Sequence, residues 1–299
     1  MNRRELLAAG VTIMAAASLT RASGAADGAP IRRKIPSSGE ELPVVGLGTS
    51  GPFEVSDSAA LAPLAQVLEA FFDGGGRLID TSPMYSSAER VLGELLTPAM
   101  HRQAFLATKV WTRGREAGIE QMTHSAELMK TRRLDLIQVH NLLDLDTQLA
   151  TLREWKAAGR VRYVGVTHYT VSAYPDLARV IEREGLDFVQ LNYSPLTRQA
   201  EQRLLPLCAG RGVAVLVNRP FEDGALFQSV RGRPLPPWAS EVDAASWGQL
   251  ALKFIASHPA VTCIIPATGN VEHLKDNLAG GRGRLPDARQ REAIAKAFA

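Results

Sequence analysis

Arg77-Leu78-Ile79-Asp80-Thr81-Ser82-Pro83-Met84-Tyr85 is a short apolar run that ends on a carboxylate and carries a phenol five residues further on. Two later runs end in the same way. Ala104-Phe105-Leu106-Ala107-Thr108-Lys109 closes on an ammonium, and Leu134 to His140 closes on an imidazole. Short apolar runs of this length read as buried strands, and a charge at the end of such a strand is unusual. In a (β/α)8 barrel the carboxyl ends of the strands form one face, where polar groups from several strands meet. Asp80, Tyr85, Lys109 and His140 are therefore the candidate catalytic set.

Outward from these runs the pattern repeats. Apolar runs recur at Val44–Leu47, Leu78–Ile79, Phe105–Ala107, Leu136–Val139, Tyr163–Val166, Phe188–Leu191, Val213–Val217 and Cys263–Ile265. Between them, Ala59–Phe72, Ala88–Leu96, Ile119–Lys130, Leu145–Lys156, Tyr174–Glu184, Glu201–Ala209 and Ser246–Ala256 have apolar residues at helical spacing. Strict β/α alternation implies parallel strands with right-handed crossovers. An open doubly wound sheet is disfavoured, because no early Gly-x-Gly-x-x-Gly follows a first strand, and Gly74-Gly75-Gly76 precedes a strand instead of opening a helix. Ile31–Ile35 and Leu42–Val45 flank the polar turn Ser37-Ser38-Gly39-Glu40 and predict a hairpin ahead of the barrel. A last helix is expected over Asp287–Phe298. The expected fold is thus a (β/α)8 TIM barrel with an N-terminal β-hairpin and a C-terminal helix. The Gly/Pro-rich loop Arg231–Pro237 lies near the site face or is an inert surface connection.

The chain has 299 residues, and a barrel of this kind takes about 250, so one catalytic domain is the economical count. Residues 1–26 stand apart from it. Arg3-Arg4, a modest apolar stretch through Leu6, Val11, Ile13 and Leu19, and small residues at Ala22 to Ala26 read in order as a twin-arginine export signal, cleaved near Ala25 or Ala26. The stretch is shorter than the roughly 20 apolar residues a membrane span needs, so no stable span is expected after cleavage. The domain is then 27–299, periplasmic or otherwise exported, with the twin-arginine machinery as a partner. That route carries folded proteins, which suits a chain that loads a cofactor first. Loss of Arg3, Arg4, Arg21 and Glu5 lowers the formal charge from +3 to +1. Near neutrality argues against nucleic acid as a partner. Cys208 and Cys263 have no metal-ligand spacing and read as buried small residues, and no metal site is expected.

The strand-end groups define a chemistry. A phenol ordinarily titrates near pH 10, too high for a good acid at neutral pH. An ammonium beside it stabilises the phenolate, and a carboxylate fixes the ammonium, so Lys109 and Asp80 are expected to tune Tyr85. His140 can donate a hydrogen bond to a substrate carbonyl and oppose the charge that grows on its oxygen. No side chain supplies hydride, so reduction by this set requires a nicotinamide cofactor. Met84, Trp111 and Trp238 line an apolar substrate pocket or serve as ordinary packing.

The stretch from Asp80 to Gly93, Asp-Thr-Ser-Pro-Met-Tyr-Ser-Ser-Ala-Glu-Arg-Val-Leu-Gly, resembles the Asp-Thr-x-x-x-Tyr-Gly-x-Ala-Glu-x-x-Leu-Gly motif of the aldo-keto reductase superfamily. Thr108-Lys109-Val110 and Val139-His140-Asn141 match its lysine and histidine segments, and the resemblance runs from about Ile31 to Asn277. It implies an NADPH-dependent barrel enzyme that reduces aldehydes or ketones, with Tyr85 as acid. It also implies a carboxamide site at Thr167, His168 and Gln190, although the family often has Ser-Asn where Thr167-His168 stands. Asn218 falls where an aromatic residue commonly stacks on the nicotinamide, and Arg219 is placed to hold the pyrophosphate. Ile265 to Asn277 resembles the adenosine-phosphate segment, with Thr268, Asn270, His273, Asp276 and Asn277 as its contact residues and a helix beginning near Asn270 that offers free N–H groups to an anion. Lysine or arginine stands in many members where this chain has Ala267 and His273, so NADH is the second cofactor expected beside NADPH.

Two other functions share some of these features. A nucleotide-binding sensor or accessory subunit would keep the site with little turnover, and the departures at His168 and Asn218 support it. An unrelated barrel isomerase or hydrolase would bind no nicotinamide nucleotide.

Overall fold

The computed structural model describes residues 28–299, and the export signal read in residues 1–26 lies outside the described residues. Strands β1 (Arg32–Lys34) and β2 (Glu41–Pro43) form the antiparallel hairpin. Eight parallel strands follow in one sheet, ordered as in the chain: β3 (Leu47–Gly48), β4 (Leu78–Asp80), β5 (Phe105–Val110), β6 (Leu134–His140), β7 (Val161–Thr167), β8 (Phe188–Asn192), β9 (Ala214–Asn218) and β10 (Val261–Ile264). The Gly46 N–H donates to the Ile264 carbonyl at 2.8 Å and the Ile264 N–H to the Val44 carbonyl at 2.8 Å. These bonds join the first barrel strand to the last, which leaves the sheet without a free edge.

The helices are α1 (Leu61–Asp73), α2 (Ala88–Leu95), α3 (Pro98–Gln103), α4 (Arg115–Leu128), α5 (Leu145–Ala157), α6 (Tyr174–Arg183), α7 (Leu204–Arg211), α8 (Ala225–Ser229), α9 (Trp247–Ala256), α10 (Val271–Gly280) and α11 (Ala288–Phe298). In α1, Leu64, Val67, Leu68, Phe71 and Phe72 form one buried stripe. Asp287 and Gln290 close a capping box at the start of α11. Each expected strand and long helix is present. The short α3 and α8 were not expected, although Thr97 caps α3 and Pro98 opens it.

Alternation along the strands divides the core in two. Ile79, Leu106, Ile137, Val164, Val189 and Val215 pack outward against the helices. Leu78, Phe105, Leu136, Tyr163, Phe188 and Ala214 point into the barrel, where Ile35 and Leu42 of the hairpin join them. The Phe105 and Tyr163 rings stack at 5.7 Å, and the Tyr163 hydroxyl donates to Ser38 Oγ at 2.7 Å. The amino-terminal mouth is thereby plugged. Continuing the same inward rows toward the carboxyl ends gives Asp80, Lys109, Gln138, His140, Thr167, Gln190 and Asn218. The inner layer is apolar below and polar above because the inward positions of each strand change character along its length.

Gly93 marks a close helix contact. A Cβ there would lie 1.8 Å from the Leu128 carbonyl oxygen, so only glycine lets α2 approach the end of α4. No described helix is long and apolar enough to cross a membrane, and Cys208 and Cys263 are buried and unpaired.

Candidate active site

Lys109 and Asp80 meet at the inner ends of β5 and β4, with Lys109 Nζ 2.6 Å from Asp80 Oδ2 and both side chains almost fully excluded from solvent. A buried ion pair is tolerable only when its remaining hydrogen-bonding capacity is met. Here it is met by three further groups. Lys109 Nζ also donates to the Thr81 carbonyl at 2.8 Å, and Asp80 Oδ1 accepts from Gln190 Nε2 at 2.8 Å and Gln138 Nε2 at 3.2 Å. Gln190 Oε1 in turn accepts from Thr167 Oγ1 at 3.1 Å and Asn218 Nδ2 at 3.2 Å. Gln138 was not among the expected site residues, since the register that sets it beside Asp80 lies across strands.

Tyr85 sits on the loop after β4, in a turn where its N–H donates to the Ser82 carbonyl at 3.0 Å. Ser86, which stands where the motif has glycine, adopts φ 45° in the left-handed region that favours glycine. Lys109 Nζ lies 4.8 Å from the centre of the Tyr85 ring, and the His140 ring stands edge-on to it at 6.3 Å. Burial pushes the Tyr85 phenol above its ordinary value while the Lys109 charge pulls against it. The expected influence of Lys109 is therefore present, but burial outweighs it and the net direction is upward. For Lys109, burial works against the ammonium, yet the Asp80 carboxylate and Tyr85 prevail and hold it above the usual range. His140 is lowered to about 3 by burial and by the Lys109 and His168 charges, so at neutral pH it is an uncharged imidazole.

A cavity of about 690 Å³ opens over this set, and Asp80, Met84, Tyr85, His140, Thr167, Gln190, Asn218 and Arg219 line it. Thr49, Ser50, Asn141, Tyr169, Phe221, Phe227 and Ala267 complete much of the wall. Tyr169 was missed. It follows Thr167 by two residues, is 46% exposed, and stacks its ring on His168 at 5.7 Å. His168 itself does not line the cavity, and its Nδ1 accepts from the Thr170 N–H at 3.2 Å. The Arg219 guanidinium lies 5.7 Å from the Tyr169 ring and 2.6 Å from Asp223. Of the three apolar candidates, Met84 lines the cavity and Trp111 lies 6.5 Å from the His140 ring. Trp238 does neither; it packs half-buried against the outer core.

At the start of α10 the structure departs from the expectation of free N–H groups. Asn270 Oδ1 accepts from the Glu272 and His273 N–H groups at 2.9 and 3.0 Å, so the residue caps its own helix. Thr268 Oγ1 accepts from the Asn270 N–H at 3.1 Å. Asp276 is engaged by Ser246 Oγ at 2.6 Å and Gln249 Nε2 at 2.7 Å, which ties α10 to α9. Lys275 pairs with Glu272, His273 is exposed, and Asn277 is buried. No group of side chains able to hold a metal ion occurs among the described residues.

A closed parallel barrel thus carries a tyrosine, a buried lysine–aspartate pair and a neutral histidine at its carboxyl rim, a set suited to moving a proton to or from a bound molecule. The profile of the Aldo/keto reductase family matches residues 44–294, and the chain belongs to that family. The methylglyoxal reductase YeaE of Escherichia coli is 27% identical over 245 residues, covering 80% of this chain and 85% of the relative. A second Escherichia coli protein, the NADH-specific methylglyoxal reductase, is 27% identical over 228 residues, or 65% and 69% of the two chains. Among solved structures, an aldo/keto reductase from Klebsiella pneumoniae in complex with NADP and acetate superposes with a TM-score of 0.74 at 23% identity, over 87% of this chain and 93% of the other.

The depressed histidine has a consequence for stability. His140 in the unfolded chain titrates near 6.5 and in the fold near 3. Its contribution is complete above pH 6.5 and is lost as pH falls toward 3, because only the unfolded chain takes the proton in that window. Urea unfolding of wild type should lose stability across pH 6.5 to 4 more steeply than His140→Gln, by up to about 1.4 kcal/mol per pH unit. Equal slopes would contradict the buried neutral imidazole.

Proposed function

We propose that the protein reduces aldehydes or ketones to alcohols with a nicotinamide nucleotide, Tyr85 donating the proton. One observation carries this reading: Tyr85, Asp80 and His140 line one cavity, with Lys109 buried against Tyr85 and Asp80, in a chain of the Aldo/keto reductase family. A bound dihydronicotinamide supplies the hydride. Lys109 stabilises the phenolate left when Tyr85 gives up its proton, and Asp80 holds Lys109 in place. Neutral His140 donates a hydrogen bond to the carbonyl oxygen and orients it toward Tyr85.

The residues present suit that cofactor. Asn218 Oδ1 is buried without a partner on the cavity wall and is an acceptor for a carboxamide N–H. Gln190 has its amide committed to Asp80, Thr167 and Asn218, so Asn218 takes the carboxamide contact. Arg219 is positioned for the pyrophosphate if it releases Asp223, and Tyr169 presents an aromatic face in place of the one missing at Asn218. Thr268, Asn270 and Asn277 serve the adenosine end. NADPH is the proposed cofactor, and because that end has no unpaired lysine or arginine between Thr268 and Asn277 to demand a 2′-phosphate, NADH is accepted as well. Small oxoaldehydes such as methylglyoxal are the proposed substrate class, on the strength of the two named relatives.

The test is oxidation of NADPH or NADH in the presence of methylglyoxal. Tyr85→Phe should lower kcat by about 10² to 10⁴-fold while leaving nucleotide affinity unchanged. Wild-type binding of nucleotide without turnover of any aldehyde would replace this reading with a sensor.

Residues 1–26 are proposed to direct twin-arginine export of the folded domain 27–299, loaded with its nucleotide. Arg3→Lys combined with Arg4→Lys should retain the protein in the cytoplasm. Unchanged export of that variant would remove the twin-arginine assignment.

A further inference from the structure

Ser82 lies between the two halves of the proposed acid–base site, and its role there rests on the reductase reading above. Its side chain is fully buried. Ser82 Oγ accepts from the Met84 N–H at 3.3 Å and lies 3.3 Å from His140 Nδ1. The Ser82 carbonyl meanwhile accepts from the Tyr85 N–H, which forms the turn that presents Tyr85. One residue thus touches the tyrosine loop through its main chain and the histidine through its side chain.

The bond directions follow from counting donors. A hydroxyl has one hydrogen and two lone pairs. Met84 N–H takes one lone pair, and the hydroxyl hydrogen needs an acceptor because no solvent reaches it. His140 Nδ1 is the one acceptor within reach among the described residues. An Nδ1–H tautomer would place two donors face to face at that point, or leave the serine hydrogen buried with nowhere to go, a cost of the kind that buried unpaired groups incur.

We infer that Ser82 is a positioning residue that fixes His140 in the tautomer with hydrogen on Nε2, the nitrogen free to donate to a substrate carbonyl. The chain of bonds runs from the Met84 N–H to Ser82 Oγ and from the Ser82 hydroxyl to His140 Nδ1, so the register of the tyrosine loop and the direction of the histidine donor are set by the same oxygen. Burial and the neighbouring Lys109 charge keep the ring neutral, which is the condition under which tautomer choice matters.

The experiment is a long-range ¹H–¹⁵N correlation on the ¹⁵N-histidine-labelled full chain at pH 7, with His140 assigned by its loss in His140→Gln. Wild type should show a protonated Nε2 and an unprotonated Nδ1 shifted upfield of a free pyridine-type nitrogen, the mark of an accepted hydrogen bond. In Ser82→Ala the Nδ1 shift should move to the free value, the Nε2–H fraction should fall, and kcat should drop about tenfold with the KM for nucleotide unchanged. Ser82→Thr, which keeps the hydroxyl, should restore both the spectrum and kcat. A wild-type ring protonated on Nδ1, or a Ser82→Ala spectrum identical to wild type whatever its kcat, would overturn the inference. Should Ser82→Ala fail to fold, the wild-type Nδ1 shift decides alone: a free value overturns it. Because the spectrum is read without substrate, absence of any reductase turnover in wild type would count against the proposed function and leave the tautomer result standing.

Discussion

The buried pair of Lys109 and Asp80 is the constraint around which the upper half of this barrel is arranged. Two opposite charges removed from water are stable only if each remaining lone pair and proton finds a partner, and removing one partner strands the other at a cost of about 3 to 5 kcal/mol. The chain meets that demand with Thr81, Gln138 and Gln190, and behind Gln190 with Thr167 and Asn218. Five strand ends, β4 to β6, β8 and β9, and the final residue of β7 are thus committed to one electrostatic object. The consequence at the surface of the cavity is a fixed ammonium beneath the Tyr85 ring.

That commitment accounts for one departure from the family pattern, at Asn218, whose amide joins the network behind Asp80. Asn218 in place of an aromatic residue donates to Gln190 and keeps its own oxygen free at the cavity wall. His168 turns away from the cavity to accept the Thr170 N–H, and its ring supports Tyr169, which takes a place on the wall. An aromatic face is therefore offered to the cavity from the loop after β7, beside those of Phe221 and Phe227 beyond β9. The Arg219 guanidinium against that ring links the two loops across the mouth.

Much of this was legible in the residues. The barrel could be read because the inward position of each strand changes from apolar to polar toward its carboxyl end, as from Leu78 to Asp80 and from Phe105 to Lys109, and a local pattern records that change. The hairpin was legible for a similar reason: the turn Ser37 to Glu40 is polar between two apolar arms. What could not be read is whatever depends on register between strands or on the path of a loop. Gln138 partners Asp80 from two strands away, Trp238 takes the packing role of the two open to it, and Tyr169 reaches the cavity. Asn270 is a different case, since an asparagine at a helix start signals a cap; its side chain was always in competition with any anion for the same N–H groups. The balance at Tyr85 was also beyond a sequence argument, because how far burial offsets a neighbouring charge depends on depth as well as on identity.

Titration of Tyr85 itself tests the central claim most directly. In protein labelled with ¹³Cζ-tyrosine, the Tyr85 resonance reports ionisation, and the comparison is wild type against Asp80→Asn combined with Lys109→Met, which removes both charges and strands neither. If the ammonium beneath the ring is what moderates a buried phenol, Tyr85 should titrate at distinctly higher pH in the double variant than in wild type. A Tyr85 that titrates at the same pH in both proteins would mean that the pair shapes the barrel without acting on the tyrosine.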